Sequence, residues 1–112
     1  MDTAKNLRWW NIGKTHDFPK GETMARSVGP DTVLIHHNGQ RWFAFEALCP
    51  HMSRPLDNAH IEANTLECAW HNMRFDLITG AVIEDSGFFD IPALKVYTVR
   101  IEGDEVLIRL KK

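Results

Sequence analysis

Two short segments each pair a cysteine with a histidine, and together they use both cysteines of the chain. The first is Cys49-x-His51 and the second is Cys68-x-x-His71, with 16 residues between them. Thiolates and imidazoles are soft or borderline ligands, and four of them in two close pairs are what a tetrahedral metal ion or an iron–sulfur cluster requires. We therefore predict a metal site formed by these four side chains.

The order of the ligands separates two kinds of site. Structural zinc sites usually take like ligands from each half, as in Cys-x(2–4)-Cys and His-x(3–5)-His. Here each half offers one cysteine and one histidine, which favours a binuclear cluster held between two loops. Two thiolates would bind one iron and two imidazoles the other. A zinc-stabilised domain without redox chemistry stays the alternative.

Length and composition indicate one folded unit. The chain has 112 residues, 44% of them hydrophobic, and a net charge of −2. This is a common domain size with enough apolar content for a core, and the charge gives no reason to expect nucleic-acid or membrane binding. No apolar run reaches the roughly 18 residues of a membrane span. The N-terminal segment lacks the apolar region of a secretory signal, so we expect a cytoplasmic protein whose cysteines are reduced.

The sequence segments that must position the four ligands have the composition of β-strands. Residues 32–37 and 41–47 are rich in β-branched and aromatic side chains and flank Asn38-Gly39, a strong hairpin signal. Residues 93–102 and 105–110 predict a second hairpin. His36 and His37 are adjacent on a predicted strand, so their side chains point to opposite faces and cannot share one metal. We predict an all-β, mostly antiparallel fold.

The region between the two hairpins differs in composition and charge. Residues 46–90 carry eight acidic and two basic residues, a net charge of −6, whereas the rest of the chain carries +4. They hold both cysteine–histidine pairs in turn-rich sequence, and loops on a rigid β scaffold commonly carry function. We predict a single domain, 1–112, in which a cluster-binding subdomain of about 46–90 is inserted into a base domain of about 1–45 and 91–112.

The two segments resemble the cluster-binding boxes of Rieske-type ferredoxins. They read CPHMSRPL from residue 49 and CAWHNMRFDLITG from residue 68. The positions that match the family pattern are Cys49, His51, Pro55, Leu56, Cys68, Trp70, His71, Phe75, Asp76, Thr79 and Gly80. The segment DFPKGE resembles the family's early turn, and DIPALKVYTVRIEGDEVLI resembles its proline loop and closing hairpin. Ala69 and Asn72 stand where proline and glycine are usual, but no ligand is missing.

This resemblance implies a fold, a cofactor and a role. The fold is a Rieske-like antiparallel β-sandwich or partial barrel with an inserted cluster-binding subdomain. The cofactor is one [2Fe-2S] cluster on Cys49, His51, Cys68 and His71. The role is that of a one-electron carrier between a ferredoxin reductase and the terminal oxygenase of a ring-hydroxylating system, with no enzymatic activity or organic substrate of its own. The alternative within the family is a Rieske-like small subunit of a larger reductase such as nitrite reductase.

Four absences predict a low reduction potential. High-potential members of the family have an extra cysteine in each box, and a serine and a tyrosine that donate hydrogen bonds to the cluster. The matching positions are Arg54 and Trp70 for the cysteines, and Met73 and Phe75 for the donors. Fewer donors leave added charge less stabilised, which places the potential at the low end of the Rieske range.

The resemblance also predicts where a partner protein makes contact. Exposed edges of His51 and His71 would let the electron leave. The apolar side chains of Met52, Leu56 and Met73, surrounded by acidic residues, would form a small docking face. Pro55 would stiffen the first loop.

Overall fold

A computed structural model describes residues 8–50, 55–68, 73–84 and 92–110. These residues form ten strands and one 3-10 helix, Thr15–Asp17. The strands are β1 Trp10–Lys14, β2 Thr23–Val28, β3 Asp31–His37, β4 Trp42–Glu46, β5 His60–Glu62, β6 Thr65–Glu67, β7 Arg74–Asp76, β8 Val82–Glu84, β9 Val96–Glu102 and β10 Glu105–Leu110. The all-β prediction is confirmed. Among the described residues, no helix has the length and apolar character needed to cross a bilayer.

The strands form two antiparallel sheets. The larger has the order β1-β10-β9-β4-β3-β2, and the smaller has the order β5-β6-β7-β8. The edge strands β1 and β2 approach each other, so the larger sheet nearly closes into the predicted barrel. Its buried interior consists of Ile12, Phe18, Val28, Val33, Ile35, Ala44, Val106 and Ile108. The smaller sheet comes entirely from residues 60–84.

The β3–β4 hairpin forms where the sequence predicts it. The Asn38 side-chain oxygen accepts hydrogen bonds from the main-chain N–H groups of Gln40 and Arg41, both over 2.9 Å. Gly39 takes a φ of 93°, a conformation that side chains disfavour. The Asn-Gly pair thus closes the turn by local chemistry alone.

Both faces of β3 and β4 are buried. Val33 and Ile35 point into the barrel, whereas Leu34, Phe43 and Phe45 point towards the smaller sheet. Burial on two faces explains why these strands read as continuous apolar runs instead of an alternating pattern. The buried cluster on the side of the smaller sheet is called the inter-sheet core here. It contains Leu34, Phe43, Phe45, Cys49, Leu56, Leu66, Cys68, Met73, Phe75, Leu77, Leu94 and Val96.

The second hairpin is shorter than predicted on its first side. β9 begins at Val96, not at residue 93, because the N–H of Leu94 donates to the carbonyl oxygen of Gly80 and the N–H of Lys95 donates to the Glu46 side chain. Val96 is buried although it shares a strand face with the exposed Thr98 and Arg100. Its side chain packs in the inter-sheet core, which covers only this end of the strand.

Candidate metal centre

Both cysteines belong to the inter-sheet core. Cys49 lies three residues after the end of β4, and Cys68 follows β6 directly. Each is 1% exposed, and no disulfide joins them. The fold therefore places two thiols, from distant parts of the chain, in one apolar environment.

Main-chain pairing closes the base of the segment that carries the first predicted ligand pair, Cys49 and His51, which we call the first ligand loop. Leu48 forms an antiparallel bridge with Pro55, and the N–H of Leu56 donates to the carbonyl oxygen of Ala47 over 2.8 Å. Cys49 lies just inside this closure. His51, Met52 and Arg54 lie outside the described residues.

The segment that carries the second predicted ligand pair, Cys68 and His71, lies between β6 and β7, and we call it the second ligand loop. Glu67 pairs with Arg74, and one step further the N–H of Cys68 donates to the carbonyl oxygen of Met73 over 2.7 Å. Residues 69–72 must connect these two positions. Trp70 and His71 lie within that segment and outside the described residues.

A hydrogen-bonded turn follows the second loop and explains why the family pattern includes Asp76, Thr79 and Gly80. The Asp76 carboxylate accepts from the N–H groups of Ile78 (2.7 Å) and Thr79 (3.3 Å). The Thr79 hydroxyl accepts from the N–H of Ala81 over 3.1 Å. Gly80 has a φ of 84° and donates to the carbonyl oxygen of Asp76 over 2.6 Å. Aspartate, threonine and glycine are thus each needed by the backbone of this turn.

The apolar residues of the two boxes are buried. Leu56 is 1% exposed, and Met73 and Phe75 are 0% exposed, in the same core as the cysteines. The predicted contribution of Leu56 and Met73 to a docking face is therefore wrong, because their side chains are covered by the protein itself. Pro55 is exposed, and so is Leu48, at 48%. Leu48 was missed because an apolar residue beside a buried cysteine reads as core.

An open groove of about 510 Å³ lies beside the base of the first loop. Its walls carry three carboxylates, from Asp31, Glu46 and Asp57, and one ammonium group, from Lys95. Burial raises the pKa of Tyr97, and the negative charges of Asp31 and Glu46 raise it further. Asp31 is the first residue of β3, so the acidic surface near the loop extends beyond residues 46–90.

The described residues fit the cysteine half of a cluster site. Ionising two thiols in an apolar core is costly unless a cation compensates their charge, and a metal supplies that cation. Within the described parts of the chain, no group of three His, Cys, Asp or Glu side chains comes together as a metal site. Two of the four predicted ligands, His51 and His71, lie outside those parts.

Comparisons with known proteins find similarity over most of this chain. A family model described as Rieske [2Fe-2S] domain matches residues 8–108. The ferredoxin component of biphenyl 2,3-dioxygenase from Rhodococcus jostii (strain RHA1) is 30% identical over 103 residues, which cover 89% of this chain and 91% of that protein. The ferredoxin component of a naphthalene 1,2-dioxygenase system from Pseudomonas aeruginosa is 26% identical, with coverages of 92% and 96%.

Among solved structures, the ferredoxin of carbazole 1,9a-dioxygenase from Nocardioides aromaticivorans IC177 matches with a TM-score of 0.76 and 28% identity. The match covers 92% of this chain and 98% of that one. The similarity to these ferredoxins therefore extends over nearly the whole length of each protein.

Proposed function

Because the chain belongs to the Rieske [2Fe-2S] domain family, we propose that it is a ferredoxin that carries single electrons from a reductase to a terminal oxygenase. Its cofactor is one Rieske-type [2Fe-2S] cluster. The main support for the role is that a dioxygenase ferredoxin component matches over 91% of its own length. The joint burial of Cys49 and Cys68 is the structural support.

Each ligand has its own role in this proposal. Cys49 and Cys68 bind one iron through thiolates, and His51 and His71 bind the other through neutral imidazoles. The bound cluster supplies reversible transfer of one electron. Main-chain hydrogen bonds at the two loop bases position the backbone of both cysteines.

The surroundings of the cysteines favour a low potential. Leu56, Met73 and Phe75 exclude water there, and none of their side chains has an O–H or N–H group to donate. An added negative charge is then poorly stabilised. We propose a potential at the low end of the Rieske range of about −150 to +300 mV.

The partner contact is proposed at the end of the protein that carries the two loops. His51 and His71 provide the exit for the electron, and Met52, Leu48 and Pro55 the apolar contact. Electron-transfer encounters are weak and bury less than about 1,200 Å² in total. The small apolar patch of Met52, Leu48 and Pro55 is therefore sufficient for such an encounter. The ferredoxin binds no organic substrate itself and works in the cytoplasm.

Metal analysis and spectroscopy of the purified protein test the cofactor site. We expect about two irons and two acid-labile sulfides per chain, as a [2Fe-2S] cluster requires. The protein should be red-brown and bleach with dithionite, and its reduced EPR spectrum should have a lower average g value than that of a four-cysteine cluster. A colourless protein that binds one zinc would support the zinc alternative instead.

The carrier role needs a separate test with a partner enzyme. A purified ferredoxin reductase from a ring-hydroxylating dioxygenase system, supplied with NADH, should reduce the isolated protein in a stopped-flow experiment. Reduction by dithionite but not by such reductases, together with tight co-purification with a large reductase, would favour the alternative of a reductase subunit.

A further inference from the structure

Residues 94–95 form hydrogen bonds to the stems of both ligand loops. On one side, the N–H of Leu94 donates to the carbonyl oxygen of Gly80 over 2.8 Å. On the other side, the N–H of Lys95 donates to the Glu46 carboxylate over 2.6 Å, and the N–H of Glu46 donates to the carbonyl oxygen of Lys95 over 2.9 Å. One short segment thus contacts the stems of both loops.

These contacts lie close to the cysteines along the chain. Glu46 precedes Cys49 by three residues, at the end of β4. Gly80 donates to Asp76, the last residue of the strand that follows the second loop. Between the two contacts, the Leu94 side chain is 2% exposed and packs in the inter-sheet core that contains both cysteines.

The contact at Gly80 leaves no room for a side chain. A Cβ atom added there would lie 2.0 Å from the carbonyl oxygen of Leu94, well inside van der Waals contact. Because the obstacle is backbone, it cannot move aside like a flexible side chain. Any larger residue at position 80 must therefore push residues 94–95 away from the second loop stem.

We infer that residues 94–95, with Gly80 and Glu46, form an interloop clamp that sets the spacing of the two ligand loops. Gly80 and Glu46 are then positioning residues for the cluster, although neither is a ligand. The inference rests on the proposed ligand set. It adds a third segment of the chain, outside both cysteine–histidine boxes, to the determinants of the site.

The main test compares two glycine-to-alanine variants. Gly80→Ala introduces both the clash and an unfavourable φ of +84°. Gly21→Ala introduces the same backbone strain, at a φ of +83°, but nothing lies within 4 Å of its Cβ. We expect Gly80→Ala to release iron to a chelator about 10-fold faster than the wild type, in line with the loss of metal affinity that follows when groups supporting metal ligands are changed. Gly21→Ala should release iron at the wild-type rate.

A second pair of variants tests the other end of the clamp. Glu46→Ala removes the acceptor for the N–H of Lys95, whereas Glu46→Gln removes the charge but keeps an oxygen that can accept. We expect Glu46→Ala to release iron faster and to change the g values of the reduced EPR spectrum. Glu46→Gln should keep the wild-type release rate and g values. If Gly80→Ala gives no folded protein, the iron-release rates and g values of Glu46→Ala and Glu46→Gln test the clamp.

The outcomes separate the clamp from the proposed function. Wild-type release rates and g values in both Gly80→Ala and Glu46→Ala, in protein that holds a Rieske cluster, would overturn the clamp alone. A lower melting temperature in Gly80→Ala and Gly21→Ala alike, without a difference in iron release, would overturn it too. A wild-type protein without a Rieske cluster would instead overturn the proposed function.

Discussion

The N–H of Cys68 donates to the carbonyl oxygen of Met73 over 2.7 Å, which makes the second ligand loop a direct extension of the β6–β7 hairpin. The bridge between Leu48 and Pro55 closes the first loop in the same manner. Each cysteine therefore lies at a hydrogen-bonded stem, and each predicted histidine ligand belongs to the loop that the stem closes.

Replacing His71 by cysteine should lower the reduction potential. A thiolate in place of a neutral imidazole adds one negative charge beside the site and disfavours an added electron. Since four-cysteine clusters lie near −400 mV, we expect a fall on the order of 100 mV or more, measured by spectroelectrochemical titration. His60→Gln is the control, because His60 is exposed on β5 and its Nε2 atom lies 3.5 Å from the Glu62 carboxylate. An unchanged potential in His71→Cys would remove this histidine from the ligand set.

Replacing Phe75 by tyrosine should raise the reduction potential. Phe75 is fully buried in the core that holds the cysteines, so a new hydroxyl there can donate to the site. If the hydroxyl finds no partner, the variant loses about 1–3 kcal/mol of stability. Phe18→Tyr buries a hydroxyl in the barrel interior instead. It should lose stability but keep the potential, and a potential shift of equal size in both variants would contradict the proposed donor position.

Replacing Leu66 by alanine should strongly destabilise the protein. Leu66 is 0% exposed and packs in the inter-sheet core from β6. Alanine would leave a cavity in this core, and a substitution of this kind lowers the free energy of unfolding by about 2–5 kcal/mol. Ile83→Ala removes the 54% exposed side chain of Ile83 from the same sheet and should change stability by no more than about 0.5 kcal/mol. Thermal unfolding followed by circular dichroism measures both, and similar midpoints for the two variants would show that the inter-sheet core does not hold the sheets together.

His36 should make the stability fall on acidification. Burial, and to a lesser extent the neighbouring His37, lower the pKa of His36 below its ordinary value of 6.5. The unfolded chain then takes up a proton more readily than the folded protein. The contribution of His36 to the free energy of unfolding is therefore complete above pH 6.5. It declines as the pH falls from 6.5 towards the lowered pKa.

The variant His36→Gln should flatten this dependence, measured as the thermal midpoint from pH 7 to below pH 6. His16→Gln, which changes an exposed histidine, should follow the wild-type curve. An equally steep fall in His36→Gln would assign the acid sensitivity to other groups.

The structure also agrees with the predicted opposite orientation of the two adjacent histidines: His36 contacts the hydroxyl of Thr23, and His37 stacks on Trp42.

The sequence by itself determined the features that depend on local chemistry. Asn38-Gly39 predicts a tight turn because few other residue pairs adopt its dihedral angles, and the hairpin is there. The residue types and spacing of the two boxes indicate the family, because two thiols and two imidazoles in this order suit few sites. The ligand roles of the two histidines remain predictions from that pattern.

Only the tertiary structure decided which side chains are covered and which distant segments meet. Leu56 and Met73 were predicted to be on the surface and are buried, whereas Leu48 is exposed, because burial depends on how the smaller sheet packs against the larger one. The bonds of Leu94 to Gly80 and of Lys95 to Glu46 join positions that are 14 and 49 residues apart. No local propensity encodes such pairings, since they arise only when the two sheets are assembled around a common core.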